Sequence, residues 1–189
     1  MSPPREVLVS VDIETSGPIP GEYSMLTIGA CAIDDPDVSF ACSIKPITDR
    51  ADPEALRVTG LSMEELAKIG LPPVQAMQDF EKWLASVTAA DGAPVFVGFN
   101  APFDWSFVNY YFHRFLGRNP FGFTAIDIKA FYLGVTGCSW SNTRSSAIAR
   151  ELRPALAGDH NALHDARYQA ELFRLTRQLG EKIRSAGKE

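Results

Sequence analysis

Hydrophobic and polar residues alternate along VLVSVDIETSG, residues 7 to 17, with the two-residue period of a β-strand. Val7, Val9, Val11 and Ile13 fall on one face, and Leu8, Ser10, Asp12 and Glu14 on the other. The first face reads as core; the second turns acidic at its end. Asp12 and Glu14 point the same way about 6 to 7 Å apart, at ~3.3 Å per residue. Two like charges at that spacing stand either in water at a strand end or around a cation. The strand by itself leaves both readings open.

The same reading of periods lays out the rest of the chain. MLTIGACAID (25–34) and VSFACSIK (38–45) read as strands joined by the turn-forming DDPD, so residues 7–45 predict a three-stranded antiparallel meander. Ser62 with Glu65 makes a capping box ahead of a short helix, and PPVQAMQDFEKWLASV (72–87) carries apolar residues at helical spacing. PVFVGF (94–99) reads as a buried strand, followed by a helix to about Leu116. FGFTAI (121–126) reads as a fifth strand, Asp127 as the N-cap of the next helix, and the remainder as helical. No repeat, low-complexity tract or linker interrupts this, so residues 1–189 are expected to form one α/β domain.

Two further acids sit at informative places. In GFNAPFDWSF (98–107), Asn100 suits an N-cap and Pro102 the first helical turn, which puts Asp104 in that turn just past a strand's carboxyl end. Open α/β sheets bind ligands there, although an acid in a first turn also serves the helix dipole. Phe103, Trp105, Phe107, Tyr111 and Phe115 read mainly as core, with one or two able to stack a base. In DHNALHDARYQAELFRLTRQL (159–179), Tyr168, Leu172, Leu175 and Leu179 form one apolar stripe, and Ala166, Ala170 and Phe173 another. Asp165 falls between them, away from the arc of Arg167, Glu171, Arg174 and Gln178, so it faces inward. An inward carboxylate needs a salt-bridge partner or a metal.

His160 and His164 stand at i and i+4, but Asn161 occupies the place where a zincin motif carries Glu, so zinc is not expected. His160 can converge with Asp165 only if it precedes the regular helix, which Gly158 and Asp159 favour. His164 and His113 read as structural or surface residues.

Composition refines the picture in two ways. Cys31, Cys42 and Cys138 form no Cys-x-x-Cys pair, which argues against a disulfide framework and a zinc knuckle. No apolar run reaches the ~20 residues of a membrane span and MSPPREV lacks a signal-peptide core, so a soluble, cytoplasmic chain is expected. The formal charge of −5 is unevenly spread: residues 1–100 carry 6 basic and 15 acidic side chains, residues 101–189 carry 12 and 8. A basic approach surface can therefore lie beside an acidic site, with Arg144, Arg150 and Arg153 as candidate phosphate contacts.

Taken in chain order, VDIETSG, NAPFDWSF and HNALHDA resemble the three motifs of the DEDDh exonucleases. This is the DnaQ-like 3′→5′ exonuclease family of RNase T, oligoribonuclease and polymerase III epsilon proofreading domains. The resemblance covers nearly the whole chain, about residues 5–180, and the ordered set is far more specific than any one motif. It implies an RNase H-like fold, a five-stranded mixed sheet with helices on both faces. It implies that Asp12, Glu14, Asp104 and Asp165 bind two divalent cations, Mg²⁺ or Mn²⁺, and that His160 is the general base. The implied reaction is hydrolysis of the terminal phosphodiester of single-stranded DNA or RNA to release a nucleoside 5′-monophosphate. Thr15, Ser16 and Gly17, in the loop TSGPIPGEYS, are expected to touch the terminal sugar by backbone and hydroxyl groups, although the loop reads equally as a plain connector. Only about ten residues follow Leu179, so no polymerase partner is expected; some stand-alone relatives are homodimers, which makes a homodimer compatible. The rival reading is a catalytically idle nucleic-acid-binding module on the same fold, and the intact set of five residues favours the enzyme.

Overall fold

The computed structural model of the chain describes residues 5–88 and 92–187. Strands β1 (Arg5–Thr15), β2 (Met25–Ala32) and β3 (Ser39–Ser43) form the expected antiparallel meander. Strand β4 (Gly92–Gly98) then pairs parallel with β1, and the short β5 (Ala125–Asp127) parallel with β4. The sheet order β3-β2-β1-β4-β5 makes β1 the central strand of a five-stranded mixed sheet.

The helices are α1 (Pro53–Thr59), α2 (Met63–Ile69), α3 (Pro73–Val87), α4 (Pro102–Leu116), α5 (Ile128–Thr136), α6 (Ser145–Leu152) and α7 (Ala162–Ala186), with a 3₁₀ turn at Trp140–Thr143. They cover both faces, each by a core that the alternation of β1 anticipates. Val9, Val11 and Ile13 pack with Phe80 of α3 and Phe107, Tyr111 and Phe112 of α4. On the opposite face, Cys31 and Val97 lie with Ala166, Ala170 and Phe173 of α7, Ile128 of α5 and Ile148 of α6. Each fully buried large apolar side chain contributes roughly 1.5–3 kcal/mol, so both cores are substantial. Among the described residues no helix is long and apolar enough to cross a membrane.

Two local expectations are corrected, and one helix appears that the pattern did not announce. FGFTAI is not a six-residue strand: Gly122 turns the chain at φ 75°, and pairing is confined to Ala125–Asp127. Phe121 is buried instead as a plug, its ring edge-on to Phe96 and Phe112, so its apolar character reports core rather than strand. Asn100 is not the N-cap of α4. That position is Ala101, without a side-chain cap, while Asn100 takes a left-handed φ of 62° and donates its amide to Asp127 Oδ1 at 3.0 Å. Helix α1 carries no apolar period because none of its residues is buried; Asp52 and Pro53 start it by capping chemistry alone.

Candidate active site

The acids of β1 emerge on the face covered by α7. In the ladder with β2, Asp12 lies opposite Gly29 and Glu14 opposite Thr27, and the register slips between Glu14 and Thr15. Such a bulge ends regular pairing where side chains must be re-aimed. Gly29 has a specific reason to be glycine: a Cβ there would lie 2.2 Å from the Ala162 carbonyl carbon. The start of α7 therefore rests directly on the sheet beside Asp12.

Asp104 arrives from the other layer. It sits in the first turn of α4, is buried, and its Oδ1 accepts the Ile13 amide at 3.2 Å. That bond ties the helix bearing Asp104 to the residue between Asp12 and Glu14.

The segment before α7 wraps around Asp165. Its Oδ1 accepts the Asp159 amide at 2.9 Å and its Oδ2 the His160 amide at 3.2 Å. Asn161 caps the helix by accepting the Leu163 and His164 amides. His160 therefore precedes the helix, as convergence with Asp165 requires, and takes a left-handed φ of 61°. A Cβ at Gly158 would stand 2.9 Å from Asp165 Oδ1, so the loop passes close over the carboxylate. A ring nitrogen of His160 and carboxylate oxygens of Glu14 and Asp165 all lie within 4.8 Å of one another. His164 is exposed with Nδ1 2.9 Å from Asp159 Oδ2, and His113 lies on the surface of α4.

Gln169 is the residue that the sequence reading missed. It is only 5% exposed, donates to Asp12 Oδ1 at 2.5 Å and accepts the Phe99 amide at 2.9 Å. It thereby joins the β1 acid to the β4–α4 junction that leads to Asp104. A signal existed: Gln169 follows Asp165 by four residues, about 40° around the helix, on the same inward arc.

No Lys or Arg pairs with Asp12, Glu14, Asp104 or Asp165 among the described residues. Burial, and the like charges around them, consequently raise Asp12, Glu14 and Asp104. Burial, then Asp104, Glu14 and Asp165, push the Asp12 carboxyl well above its ordinary range, against the bond from Gln169. Burial and the charges of Asp165 and Asp104 push Glu14 up to about 8. Asp104 is pushed up to about 7, mainly by burial, despite the bond from the Ile13 amide. An all-oxygen acid cluster without a counter-charge has the donor chemistry of a site for hard divalent cations.

The cluster opens into a cavity of about 570 Å³ whose walls include Phe99, Asn100, Phe103, Ser145 and Tyr168. A second cavity of about 280 Å³ shares Glu14 and His160 and is bounded by Thr27, Ser43 and Leu61. Thr15, Ser16 and Gly17 line neither. Thr15 Oγ1 donates to Gly17 O at 2.9 Å, and Ser16 Oγ donates to Arg50 O while accepting the Ser24 amide. Arg144, Arg150 and Arg153 are exposed at the ends of α6.

The sequence profile of the RNase T exonucleases matches residues 9–173. The chain belongs to this DEDDh exonuclease family. It is a 3′→5′ exonuclease. A relative described as the 3′-5′ DNA exonuclease Cap18 of Escherichia coli is 60% identical over 178 residues, covering 94% of this chain and 95% of the relative. Among solved structures, the nuclease domain of 3′hExo, a DEDDh family member bound to rAMP, superposes with a TM-score of 0.72 at 15% identity. That superposition covers 90% of this chain and 92% of that one. E. coli Exonuclease I in complex with a dT13 oligonucleotide gives a TM-score of 0.73 at 15% identity, over 96% of this chain and 43% of that one. At such identities the structural likenesses show the fold, which is the RNase H-like fold of DEDDh exonucleases. The family uses divalent metal ions.

Proposed function

We propose that this DEDDh exonuclease removes nucleotides singly from the 3′ ends of single-stranded DNA and releases nucleoside 5′-monophosphates. The observation that carries the reading is the convergence of Asp12, Glu14, Asp104, Asp165 and His160 from three separate segments on one cavity. DNA is favoured over RNA by the description of the 60% identical relative.

In this reading Asp12, Glu14, Asp104 and Asp165 hold two divalent cations, Mg²⁺ or Mn²⁺. When bound, such ions polarise the scissile phosphate and offset charge on the leaving 3′ oxygen. His160 takes the proton of the attacking water. Its role is supported by its place at the shared edge of both cavities and by the hydrogen bond that its backbone amide donates to Asp165, which orients its backbone. Gln169 positions Asp12, leaving its other oxygen for a cation. The two cavities on either side of Glu14 and His160 offer separate places for the terminal nucleoside and for the strand. Thr15, Ser16 and Gly17 are buried, bond locally and line neither cavity, so in this reading they shape the turn that follows Glu14 and do not touch the terminal sugar.

The whole chain acts as one domain in this proposal, consistent with two cores sharing one sheet. Its free thiols Cys31, Cys42 and Cys138 suit the reducing cytoplasm. The test is to offer 5′-labelled DNA and RNA octamers of matched sequence with Mg²⁺ or Mn²⁺. A ladder shortening stepwise from the 3′ end, faster on DNA and abolished by chelation, is expected. Internal fragments or undiminished activity in EDTA would refute the reaction, and faster RNA shortening would refute the substrate preference.

A further inference from the structure

A polyanionic strand approaching this site meets acids first. Neither cavity has a lysine or arginine in its walls. Phosphates that are not being cleaved must therefore find their cations at the rim.

One rim position combines a free cation with an exposed aromatic ring. Lys129, in the first turn of α5, donates from Nζ to Asn100 Oδ1 at 3.4 Å, and Asn100 lines the larger cavity. The same Nζ stands 4.5 Å from the centre of the Trp140 ring and 6.0 Å from that of Phe99, another cavity wall. Lys129 makes no salt bridge among the described residues. Trp140 is 54% exposed, whereas Trp83 and Trp105 pack against the core. A large ring left in solvent beside an unpaired ammonium has the chemistry of single-strand binding sites, where bases stack on aromatic faces and phosphates meet cations. From Trp140 the chain runs through the exposed Arg144 to Ser145 in the cavity wall, which continues the basic edge.

We propose that Lys129 and Trp140 form a subsite for the single-stranded DNA upstream of the cleaved nucleotide, the ammonium binding an internucleotide phosphate and the indole stacking a base. This rests on the exonuclease reading above and adds to it where the uncleaved strand runs. The hydrogen bond to Asn100 places the ammonium next to the cavity mouth.

The test is length dependence. The p-nitrophenyl ester of thymidine 5′-monophosphate has one phosphate, the one to be cleaved, and neither an upstream base nor an internucleotide phosphate for the rim; an octamer has both. The full chain and its Trp140→Ala, Trp140→Phe and Lys129→Gln variants are compared with Mn²⁺ on both substrates. Trp140→Ala and Lys129→Gln are expected to raise KM for the octamer about tenfold, the scale of losing one base stack or one phosphate contact. KM for the ester should stay within about twofold, and Trp140→Phe should keep most of the octamer affinity because a ring remains. Lys129→Gln should also lessen the slope of log KM against log salt by about 0.7 to 1. An equal rise for both substrates would assign the pair to bracing α5 and overturn the subsite, as would unchanged KM for the octamer. A loss in Trp140→Phe equal to that in Trp140→Ala would overturn stacking. Failure of the unaltered protein to cleave either substrate is the separate outcome that sinks the exonuclease reading itself.

Discussion

His160, Asp165 and Gln169 lie within one segment yet carry separable tasks. Asp165 holds the His160 amide and, in the proposed reaction, also offers its carboxylate to a cation, so Asp165→Ala should remove a ligand and unpin the proposed base together. In the proposed reaction His160→Ala removes only the proton acceptor. It is expected to slow single-turnover hydrolysis about 10² to 10⁴-fold, roughly 3–5 kcal/mol, with Mn²⁺ affinity near that of the unaltered protein. The limb of rate rising with pH that a general base produces should flatten in that variant. Gln169→Leu should show the opposite split: weaker Mn²⁺ binding, because Asp12 loses the donor that orients it, with the pH limb retained. Calorimetric Mn²⁺ titration and single-turnover rates across pH read both quantities. Metal loss in His160→Ala would make the histidine a ligand or a structural residue, and a full rate would place the base elsewhere.

Element packing decides whether these residues meet. The start of α7 can descend onto β2 only because Gly29 has no side chain, its absent Cβ lying where the Ala162 and Leu163 backbone passes. Backbone cannot yield as a flexible side chain does, so Gly29→Ala is expected to cost about 1–3 kcal/mol, or more, by overpacking. The helix should relieve the clash by lifting, which separates Asp165 and His160 from Asp12 and Glu14. The expected signature is a loss of Mn²⁺ affinity and turnover larger than the fall in stability would explain at temperatures where the variant stays folded. If Gly29→Ala binds metal normally, the close approach of α7 is not what assembles the site. The amide bridge from Ile13 to Asp104 plays the corresponding part for α4 on the other side of β1.

The whole molecule carries the cost of a concentrated acid cluster. Glu14 and Asp104 are raised to about 8 and about 7 in the folded chain, above their ordinary values near 4. A carboxyl whose folded pKa is raised binds its proton more tightly when folded. Its contribution is therefore most favourable below pH ~4 and is lost as pH rises through the folded value. Metal-free protein should accordingly lose melting temperature between about pH 5 and pH 8 from these groups, while Mg²⁺ or Mn²⁺ restores it. The difference between the metal-loaded and chelated protein should widen over that interval, because the cations bind the ionised acids. Glu14→Gln combined with Asp104→Asn should flatten the metal-free slope and raise the melting temperature at pH 8 by several degrees. A gap independent of pH, or a double variant that melts lower at pH 8, would contradict this account.

Much of this was legible without coordinates because periodicity is a local property. The two-residue alternation of residues 7–14 separates core from acids, and the 3.6-residue period of residues 162–179 turns Asp165 inward whatever surrounds it. The ordered motifs supplied the family and hence the sheet, as the profile match over residues 9–173 bears out. What local pattern cannot contain is which distant groups share a polar bond. Gln169 is one more polar residue among helix positions until Asp12, 157 residues away, and Phe99 are brought beside it. Phe121 has the apolar character of a strand residue and the environment of a plug, a difference set by the rings of Phe96 and Phe112. Asn100 suits an N-cap by type, yet its amide is taken by Asp127 and its backbone turned left-handed. Charge composition shows that the two halves differ in sign; only the tertiary contacts set the ammonium of Lys129 over the ring of Trp140 at the mouth of the acidic cavity. Sequence determines which residues can form elements and face inward, because that depends on neighbours a few positions away. Tertiary structure decides which of them act on one another, because Coulomb and hydrogen-bond energies depend on distances that the chain's order does not specify.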